Sequence, residues 1–445
     1  MVLPGLLGTG LVSFAILPYQ IPPPFWYDGI MTKKPRVVII GGGFAGVYTY
    51  RNLHKEFHGQ ADRPEITLIS KNNYFLFTPL LHEVATGSVR AHDIVQPLRQ
   101  IADTCLDRVV VSPATSIDIA SRVASTSSAD IPYDYLVLAT GAATQLFKFP
   151  PELVYTLKTL EDALLLKNHL LEVFDAAERT GNKKERAKLL TFMVVGGGAT
   201  GVELITEMDE FIYDTLCKAY PSISPEEVKI YLVHGKNELV DSFSPSIRRK
   251  TLAAFKNKHM VKVLLNSLVS KITKGKAALA SGEVVETETI VMATGITATY
   301  PAFSEKIQTN PRGQILVNRY LQIPGHSEIF ALGDAAAVNE ENYSTPQTAQ
   351  AAVQEAKVAA YNITALIRNF QLAKFEYREQ GQLISLGRWK AAAKIGWFSF
   401  SGMFAWWLWR TIYAGKVIGW ANRLRLILDW TIDMFYKRDI SRLSK

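Results

Sequence analysis

The 445-residue sequence predicts an α/β fold with two Rossmann-like dinucleotide-binding domains, followed by a C-terminal amphipathic helical region that anchors the chain to a membrane. Three observations lead to this prediction. A glycine-rich loop between an apolar strand and a helical pattern occurs twice. An apolar strand that ends in Ala-Thr-Gly also occurs twice. Tryptophan and basic residues are concentrated after residue 387.

The two glycine-rich loops are GGGFAG at 41–46 and GGGATG at 196–201. In such a loop the first glycine makes the tight turn and the second lets the backbone approach a pyrophosphate. The third lets the helix pack on the strand, and the helix N-terminus faces the phosphates. One such hexapeptide is weak evidence, but two in this setting predict two dinucleotide-binding domains. The candidate ligand-binding residues are Gly41, Gly43, Phe44, Ala45 and Gly46 in the first loop, and Gly196, Gly198, Thr200 and Gly201 in the second.

The second strand of each unit, at 65–70 and 228–234, departs from the usual pattern. That strand commonly ends in an acid that holds a ribose 2′-hydroxyl, whereas here it ends in Ser70 and His234. We expect Ser70 or the following Lys71 to contact an adenosine ribose. At the second site the position holds His234 instead of a carboxylate, so no negative charge repels the 2′-phosphate of NADPH. Both NADH and NADPH are therefore candidate donors.

Three further apolar strands end in residues suited to a cofactor. The two Ala-Thr-Gly strands, at 134–141 and 289–295, supply Thr140, Gly141 and Gly295 as candidates for close backbone approach. The strand at 328–336 places Gly333 and Asp334 at its end. A buried carboxylate there needs a donor, which the ribityl hydroxyls of a flavin would supply, although an N-capping role is equally compatible.

Composition excludes several classes of site. The chain has two cysteines, Cys105 and Cys217, and therefore no CxxC pair, so we expect neither a structural metal nor a thiol-redox centre. Residues 1–34 carry a short apolar run without the basic residues of a signal or transit peptide. They are interpreted as an N-terminal extension or as a start upstream of the true one at Met31.

The C-terminal segment has an unusual composition. From residue 388 onward there are eleven Lys or Arg and three Asp, together with seven of the eight tryptophans. No nucleic-acid-binding motif accompanies them, and the uncharged run at 395–409 is shorter than the about 20 residues of a membrane span. Phe404, Leu408 and Ile412 recur every four residues, which predicts a helix lying on an anionic lipid surface. A partner-binding or core helix is the alternative.

Three other segments, at 73–87, 156–174 and 345–356, carry a family resemblance. Together with the glycine loops they resemble the type II NADH:quinone oxidoreductases from about residue 35 to the C-terminus. The resemblance implies FAD in the first domain, NADH in the second, a membrane quinone as acceptor, no proton pumping, and a peripheral homodimer on the cytoplasmic face of the cell inner membrane. The implied domains are 35–155 with 305–380 for FAD, 156–304 for NAD(P)H, and 381–445 for membrane association.

The resemblance also implies roles for individual residues. The residues themselves predict a helix over 345–356 with Thr345 as its N-cap and Pro346 at its first position. We expect Gln347 and Thr348 to lie at the flavin, and the resemblance places Gln350 and Gln354 beside the quinone carbonyl. Glu203 is implied in nicotinamide binding or proton handling, and Lys390 lies near the implied quinone tunnel. Each has a purely structural alternative: two hydrogen-bonded core glutamines, a helix-dipole acid and a solvated lysine.

Two related activities are less compatible with the sequence. A sulfide:quinone oxidoreductase needs redox cysteines near the flavin, and no cysteine follows residue 217. A soluble ferredoxin reductase would leave the basic, tryptophan-rich segment unexplained. Two alternatives remain: a related flavoprotein reductase that uses a protein or another acceptor, and a flavoprotein whose main task is partner binding or signalling and whose oxidase activity is weak.

Overall fold

The computed structural model describes residues 34–256, 261–340 and 343–442. The interpretation of residues 1–34 as an extension or upstream start therefore falls, apart from Lys34, outside the described residues.

The N-terminal third forms the first group of strands and helices. Its strands are β1 (Arg36–Ile40), β2 (Glu65–Ser70), β3 (Tyr74–Leu76), β4 (Val95–Pro97), β5 (Arg108–Val111), β6 (Ala114–Asp118), β7 (Val123–Thr126), β8 (Asp130–Pro132), β9 (Tyr135–Leu138) and β10 (Ala142–Thr144). Its helices are α1 (Phe44–Phe57), α2 (Leu81–Ala85) and α3 (Leu98–Ile101).

The middle of the chain forms the second group. Its helices are α4 (Leu160–Arg179), α5 (Lys183–Leu189), α6 (Ala199–Glu210), α7 (Cys217–Ala219) and α8 (Pro245–Lys256), with a π-helical turn at Phe211–Leu216. Its strands are β11 (Thr191–Val195), β12 (Lys229–Val233), β13 (Val261–Leu264), β14 (Val269–Thr273), β15 (Lys276–Leu279), β16 (Val284–Glu286), β17 (Thr289–Met292), β18 (Ile296–Ala298) and β19 (Ala302–Phe303).

The remaining elements complete the first group and form the C-terminal region. They are β20 (Ile315–Val317), β21 (Gln322–Ile323), β22 (His326–Ala331), β23 (Ala336–Val338), α9 (Ala349–Arg368), β24 (Gln382–Ser385), β25 (Ala391–Ile395), β26 (Phe398–Gly402), α10 (Met403–Lys416) and α11 (Trp420–Phe435).

The first large sheet has the strand order β21-β22-β9-β1-β2-β5. Strands β22, β9, β1, β2 and β5 are parallel, and β21 is antiparallel at the edge. Residues 37–40 of β1 are buried, as expected for a central parallel strand with both faces covered. Helices α1 and α9 pack against each other. The predicted strands at 36–40 and 65–70 are confirmed, and those predicted at 134–141 and 328–336 are present as the shorter β9, which ends at Leu138, and β22, which ends at Ala331.

The second large sheet is wholly parallel, with the order β13-β12-β11-β17. All five residues of β11 are buried. Helix α6 follows β11 directly through the second glycine loop, as α1 follows β1 through the first. The predicted α/β class with two Rossmann-like units is confirmed.

The C-terminal region only partly matches its prediction. The uncharged tryptophan-rich run is not one helix, because residues up to Gly402 form β25 and β26 of an antiparallel three-stranded sheet and the helix begins at Met403. Trp406, Trp409 and Trp430 are buried, so part of the segment is core rather than surface. Within the described parts of the chain, no helix combines the length and apolarity needed to cross a bilayer.

Other large side chains of this region are exposed. Phe404, in the predicted stripe, is exposed, whereas Leu408 and Ile412 are half-buried. We define the apolar face by nine exposed apolar side chains from the β25–β26 turn, α10 and the part of α11 up to Leu428: Trp397, Phe398, Met403, Phe404, Trp407, Trp420, Leu424, Ile427 and Leu428.

Candidate cofactor and substrate sites

A cavity of about 600 Å³ lies where β1, β2, β9 and β22 end and where α1 and α9 begin. The carboxyl ends of parallel strands are the usual ligand site of such sheets, and this volume is in the range of cofactor pockets. The residues predicted for the first ligand that line it are Gly41, Gly43, Phe44, Ala45, Ser70, Lys71, Thr140, Gly141, Gly333, Asp334, Gln347 and Thr348. Gly46, also predicted, lies behind the loop.

The glycines of the first loop differ in what a larger side chain would meet at each position. Gly41 has φ +125°, and a Cβ there would collide with the carbonyl of Ala139. A Cβ on Gly46 would collide with the carbonyl of Gly41. At Gly43, by contrast, φ is −87° and no atom lies within 4 Å of a built Cβ. The protein leaves space there that its own packing does not require, as a cradle for a ligand would.

Two charged side chains near this cavity were not among the residues predicted from the sequence. Lys158 Nζ lies 3.0 Å from Asp334 Oδ2, and both residues line the cavity. The buried carboxylate of Glu355 accepts the Gly333 N–H at 2.5 Å, and burial raises the pKa of Glu355 to about 7. Glu355 could have been noted as the only acid in the alanine-rich helix α9, whereas Lys158 lies in the segment 156–174 without a residue pattern that predicts a role for it.

Helix α9 begins later than predicted. Thr348, not Thr345, is the N-cap: its hydroxyl accepts the Ala351 N–H at 3.2 Å, and its backbone is extended. Pro346 stays outside the helix and its carbonyl accepts the Thr348 N–H at 2.9 Å. As a result Thr348 and Ala349 line the cavity, and the positive end of the helix dipole lies beside it.

Gln350 and Gln354 share one face of α9, as predicted, but that face contacts the chain segment that leads to β24. The Tyr377 hydroxyl donates to Gln350 Oε1 at 2.8 Å. Gln354 makes two bonds to the backbone of Arg378, at 2.9 and 3.0 Å. Neither glutamine lines the large cavity.

The second glycine loop repeats the geometry of the first. Gly196 has φ +115°, and its Cβ would collide with the carbonyl of Ala293; a Cβ on Gly201 would collide with the carbonyl of Gly196. No atom lies within 4 Å of a Cβ built on Gly198. Thr200 is exposed in the first turn of α6. Gly295, after β17, has φ +112°.

His234 supports this loop from below. Its Nδ1 accepts the Gly197 N–H at 3.0 Å. Burial lowers the pKa of His234, so its ring is neutral at neutral pH. A Cβ built on Gly42 in the first loop would contact Ser70, and one built on Gly197 would contact His234. Ser70 and His234 therefore occupy corresponding places beneath the two loops.

Glu203 and Lys390 lie apart from the large cavity. The Glu203 carboxylate accepts the Ser385 N–H of β24 at 3.1 Å, and burial raises the pKa of Glu203 to about 8, with a further contribution from the nearby Glu83 and Glu207. Lys390 is exposed in the turn between β24 and β25.

Comparison with known proteins adds a family context. The family model for pyridine nucleotide-disulphide oxidoreductases matches residues 35–356, and that for the NDH2 C-terminal domain matches residues 380–439. The type II NADH:quinone oxidoreductases Ndh and NdhA of Mycobacterium tuberculosis are 30% and 31% identical. Ndh aligns over 91% of this chain and 89% of its own length, and NdhA over 90% and 87%.

Solved structures show the same fold. NDH2 from Plasmodium falciparum in complex with NADH matches with a TM-score of 0.85 at 22% identity, covering 92% of this chain and all of that one. The sulfide:quinone oxidoreductase of Aquifex aeolicus matches with a TM-score of 0.72 at 20% identity, over 91% of this chain and 96% of that one.

Proposed function

Because the chain belongs to the type II NADH:quinone oxidoreductases, we propose that it oxidises NADH and passes the electrons through FAD to a quinone without pumping protons. The observation that carries this proposal is the pair of glycine loops with matching geometry, the first of which opens into a cavity of about 600 Å³. Bound FAD supplies the redox chemistry, accepting hydride from NADH and returning two electrons to the quinone.

The residues around the large cavity fit FAD. The open space at Gly43 suits a pyrophosphate. Asp334, oriented by Lys158 at 3.0 Å, can accept hydrogen bonds from ribityl hydroxyls. The N-terminus of α9, at Thr348 and Ala349, favours negative charge on the isoalloxazine ring when it is reduced.

For the two substrates we retain the residues expected from the sequence. NADH binds along Gly196, Gly198, Thr200 and Gly201, with Gly295, His234 and Glu203 nearby. On the quinone side we propose Gln350, Gln354, Glu203 and Lys390. Because Tyr377 donates to Gln350 Oε1, the amide of Gln350 is oriented with its NH₂ available to donate to a quinone carbonyl.

The decisive experiment is an anaerobic two-step assay on purified protein. NADH is expected to bleach the flavin, and a short-chain quinone is expected to restore its colour rapidly. If the reduced flavin were reoxidised only by oxygen or by a protein carrier such as ferredoxin, the quinone proposal would be wrong and the protein-acceptor alternative would be favoured.

Donor choice gives a separate prediction at His234. The chain has no carboxylate at the end of β12, so no negative charge there repels the 2′-phosphate of NADPH. We expect kcat/KM for NADPH to lie within about a hundredfold, or 2.7 kcal/mol, of the value for NADH. Steady-state kinetics with both nucleotides measure this directly, and a larger preference for NADH would show that other residues exclude the phosphate.

We also propose that the enzyme is a peripheral homodimer on the cytoplasmic face of the cell inner membrane. The apolar face and the surplus of eight basic residues after residue 387 support contact with anionic lipid. The proposed domains are 35–155 with 305–380, 156–304 and 381–445, since β22 joins the first large sheet. Light scattering of the purified protein tests the dimer.

Membrane contact is tested best by substitution. Deleting residues 388–445 would also remove the buried residues 391–393 of β25, so it would test folding rather than binding. A Phe404→Glu, Leu424→Glu double variant is expected to lower co-sedimentation with anionic vesicles by at least about tenfold, because an apolar side chain contributes about 1.5–3 kcal/mol when buried. Turnover of a soluble short-chain quinone should persist.

The matched control is Phe370→Glu, an exposed phenylalanine just after α9 and outside the apolar face. It should leave vesicle binding unchanged. Equal binding of the double variant and the control would exclude the apolar face as the lipid contact.

A further inference from the structure

The segment that follows β12 is held against the second glycine loop. It covers residues 234–243, and we call it the β12 loop. The Gly197 N–H donates to His234 Nδ1 at 3.0 Å, and the Val240 N–H donates to the Gly197 carbonyl at 2.7 Å. The side chain of Leu239 fills the space that a Cβ on Gly197 would need. Both ends of the β12 loop are therefore fixed to the backbone that is proposed to bind NADH.

The backbone of the β12 loop has an uncommon conformation at Val240. Its φ is +47°, in the left-handed region that a β-branched residue rarely adopts, and its side chain is fully buried. The Val240 carbonyl accepts the Phe243 N–H at 2.8 Å, which closes a tight turn. Such a conformation is unfavourable and persists only where the surrounding contacts enforce it. The next residue in this turn, Asp241, is exposed.

Asp241 forms an ion pair across the β12 loop with Lys236. The Lys236 ammonium donates a hydrogen bond to Asp241 Oδ2. This bond lowers the pKa of Asp241, so its carboxylate is ionised at neutral pH. Both side chains are exposed, and a ligand on the second glycine loop can therefore reach them.

The first glycine loop indicates where this ion pair lies relative to a bound nucleotide. Ser70 and His234 occupy corresponding places beneath the two loops. Asn72 follows Ser70 by two residues, as Lys236 follows His234, and Asn72 lines the large cavity. By this correspondence Lys236 and its partner Asp241 lie at the rim of the second nucleotide site. The end of the second strand, where both segments begin, is the usual place of the adenosine ribose.

A carboxylate at this rim can replace the acid that usually ends the second strand. That acid accepts the ribose 2′-hydroxyl of NADH, and β12 ends without one. Glu238 is the other acid of the β12 loop, but it pairs with Arg248 of α8. Asp241 pairs with Lys236 inside the loop, so its charge is partly compensated and repels a 2′-phosphate less than an unpaired carboxylate would.

We propose that Asp241 accepts the adenosine ribose 2′-hydroxyl of NADH, and that its ion pair with Lys236 sets the preference between NADH and NADPH. This rests on the proposed function, which makes a reduced nicotinamide nucleotide the electron donor. With NADH, Asp241 accepts the hydroxyl while Lys236 orients the carboxylate. With NADPH, Lys236 binds the 2′-phosphate, but Asp241 stays close as a like charge. The pair therefore favours NADH without excluding NADPH.

The test follows anaerobic flavin reduction by stopped flow, which separates the apparent Kd of each nucleotide from the limiting rate. Asp241→Ala should raise the Kd of NADH about tenfold, because a hydrogen bond to a charged acceptor is lost, and should leave the limiting rate unchanged. The same variant should lower the Kd of NADPH about tenfold, because the like charge is removed. Lys236→Met should raise the Kd of NADPH about tenfold and that of NADH by less.

A nucleotide without the hydroxyl separates a direct contact from a change in loop structure. The wild type should bind NADH that lacks the adenosine 2′-hydroxyl about tenfold more weakly than NADH itself. Asp241→Ala has no acceptor at this place and should bind the two nucleotides equally. A variant that merely distorted the β12 loop would weaken both and keep the difference between them.

Glu238→Gln is the matched control, because it removes the other acid of the β12 loop, whose partner lies on α8. It should leave both Kd values within about twofold of the wild type. If neither nucleotide reduced the flavin of the wild type, the proposed function would be wrong. If NADH did so and Asp241→Ala still distinguished the two forms of NADH, Asp241 would not be the ribose contact. An unchanged Kd of NADPH in Lys236→Met would exclude the ion pair as the determinant of preference.

Discussion

A Gly43→Ala variant is expected to fold normally and to purify without FAD. The backbone at Gly43 has φ −87°, which alanine adopts readily, and no protein atom lies within 4 Å of the added Cβ. The added methyl group is therefore expected to destabilise the FAD-free protein only slightly. In the holoenzyme the same methyl group would occupy the space proposed for the pyrophosphate, so FAD content and NADH oxidation should both fall to near zero.

Visible absorbance of the purified variant measures FAD content, and circular dichroism checks the fold. Gly181→Ala is the matched control, since a Cβ there also meets nothing within 4 Å, and Gly181 lies outside both loops, between α4 and α5. Gly198→Ala should retain FAD and raise KM for NADH. A Gly43→Ala protein with full FAD content would contradict the assignment of the large cavity.

Arg438→Met is expected to cause the largest loss of stability, about 3–5 kcal/mol, because it breaks the buried ion pairs that Arg438 makes. Glu207 and Asp433 lose an ion pair at 2.9 and 3.3 Å. Burial already raises the pKa of Asp433, and removing the guanidinium raises it further, so the folded variant binds more protons than the unfolded chain. Its stability should therefore rise as pH falls, and the deficit should be larger at about pH 8 than at about pH 5.

Urea unfolding at the two pH values measures this effect. Arg442→Met is the control, because Arg442 is half-exposed and contacts its acids only at 3.6 and 3.7 Å. An exposed pair contributes about 0–1 kcal/mol. Equal losses at Arg438 and Arg442, or a deficit independent of pH, would contradict this account of the Arg438 ion pairs.

The parts of the fold that were predictable are those encoded locally. The strands before both glycine loops and the helices after them follow from apolar runs and glycines adjacent in sequence. Twelve residues predicted for FAD line one cavity, because the ends of parallel strands meet there.

The parts that were not predictable depend on competition or on distant contacts. Thr345 and Thr348 are both acceptable N-caps, and the extended backbone at Thr348 decides between them. Lys158 and Asp334, which form an ion pair, are 176 residues apart in the sequence, so no local pattern predicts their contact. The buried tryptophans and the side chains of the apolar face belong to the same tryptophan-rich segment. Composition alone therefore does not show which of them are buried, because this depends on how α10 and α11 pack.

The order of strands in the first large sheet has a consequence for synthesis. Strand β22 joins β9 in that sheet, although it lies on the far side of the complete second sheet in the sequence. A ribosome therefore releases β11, β12, β13 and β17 before the first sheet can acquire its last parallel strand. We expect the second domain to become protease-resistant first in arrested nascent chains, although its sequence begins later, because domains fold as units while the chain emerges.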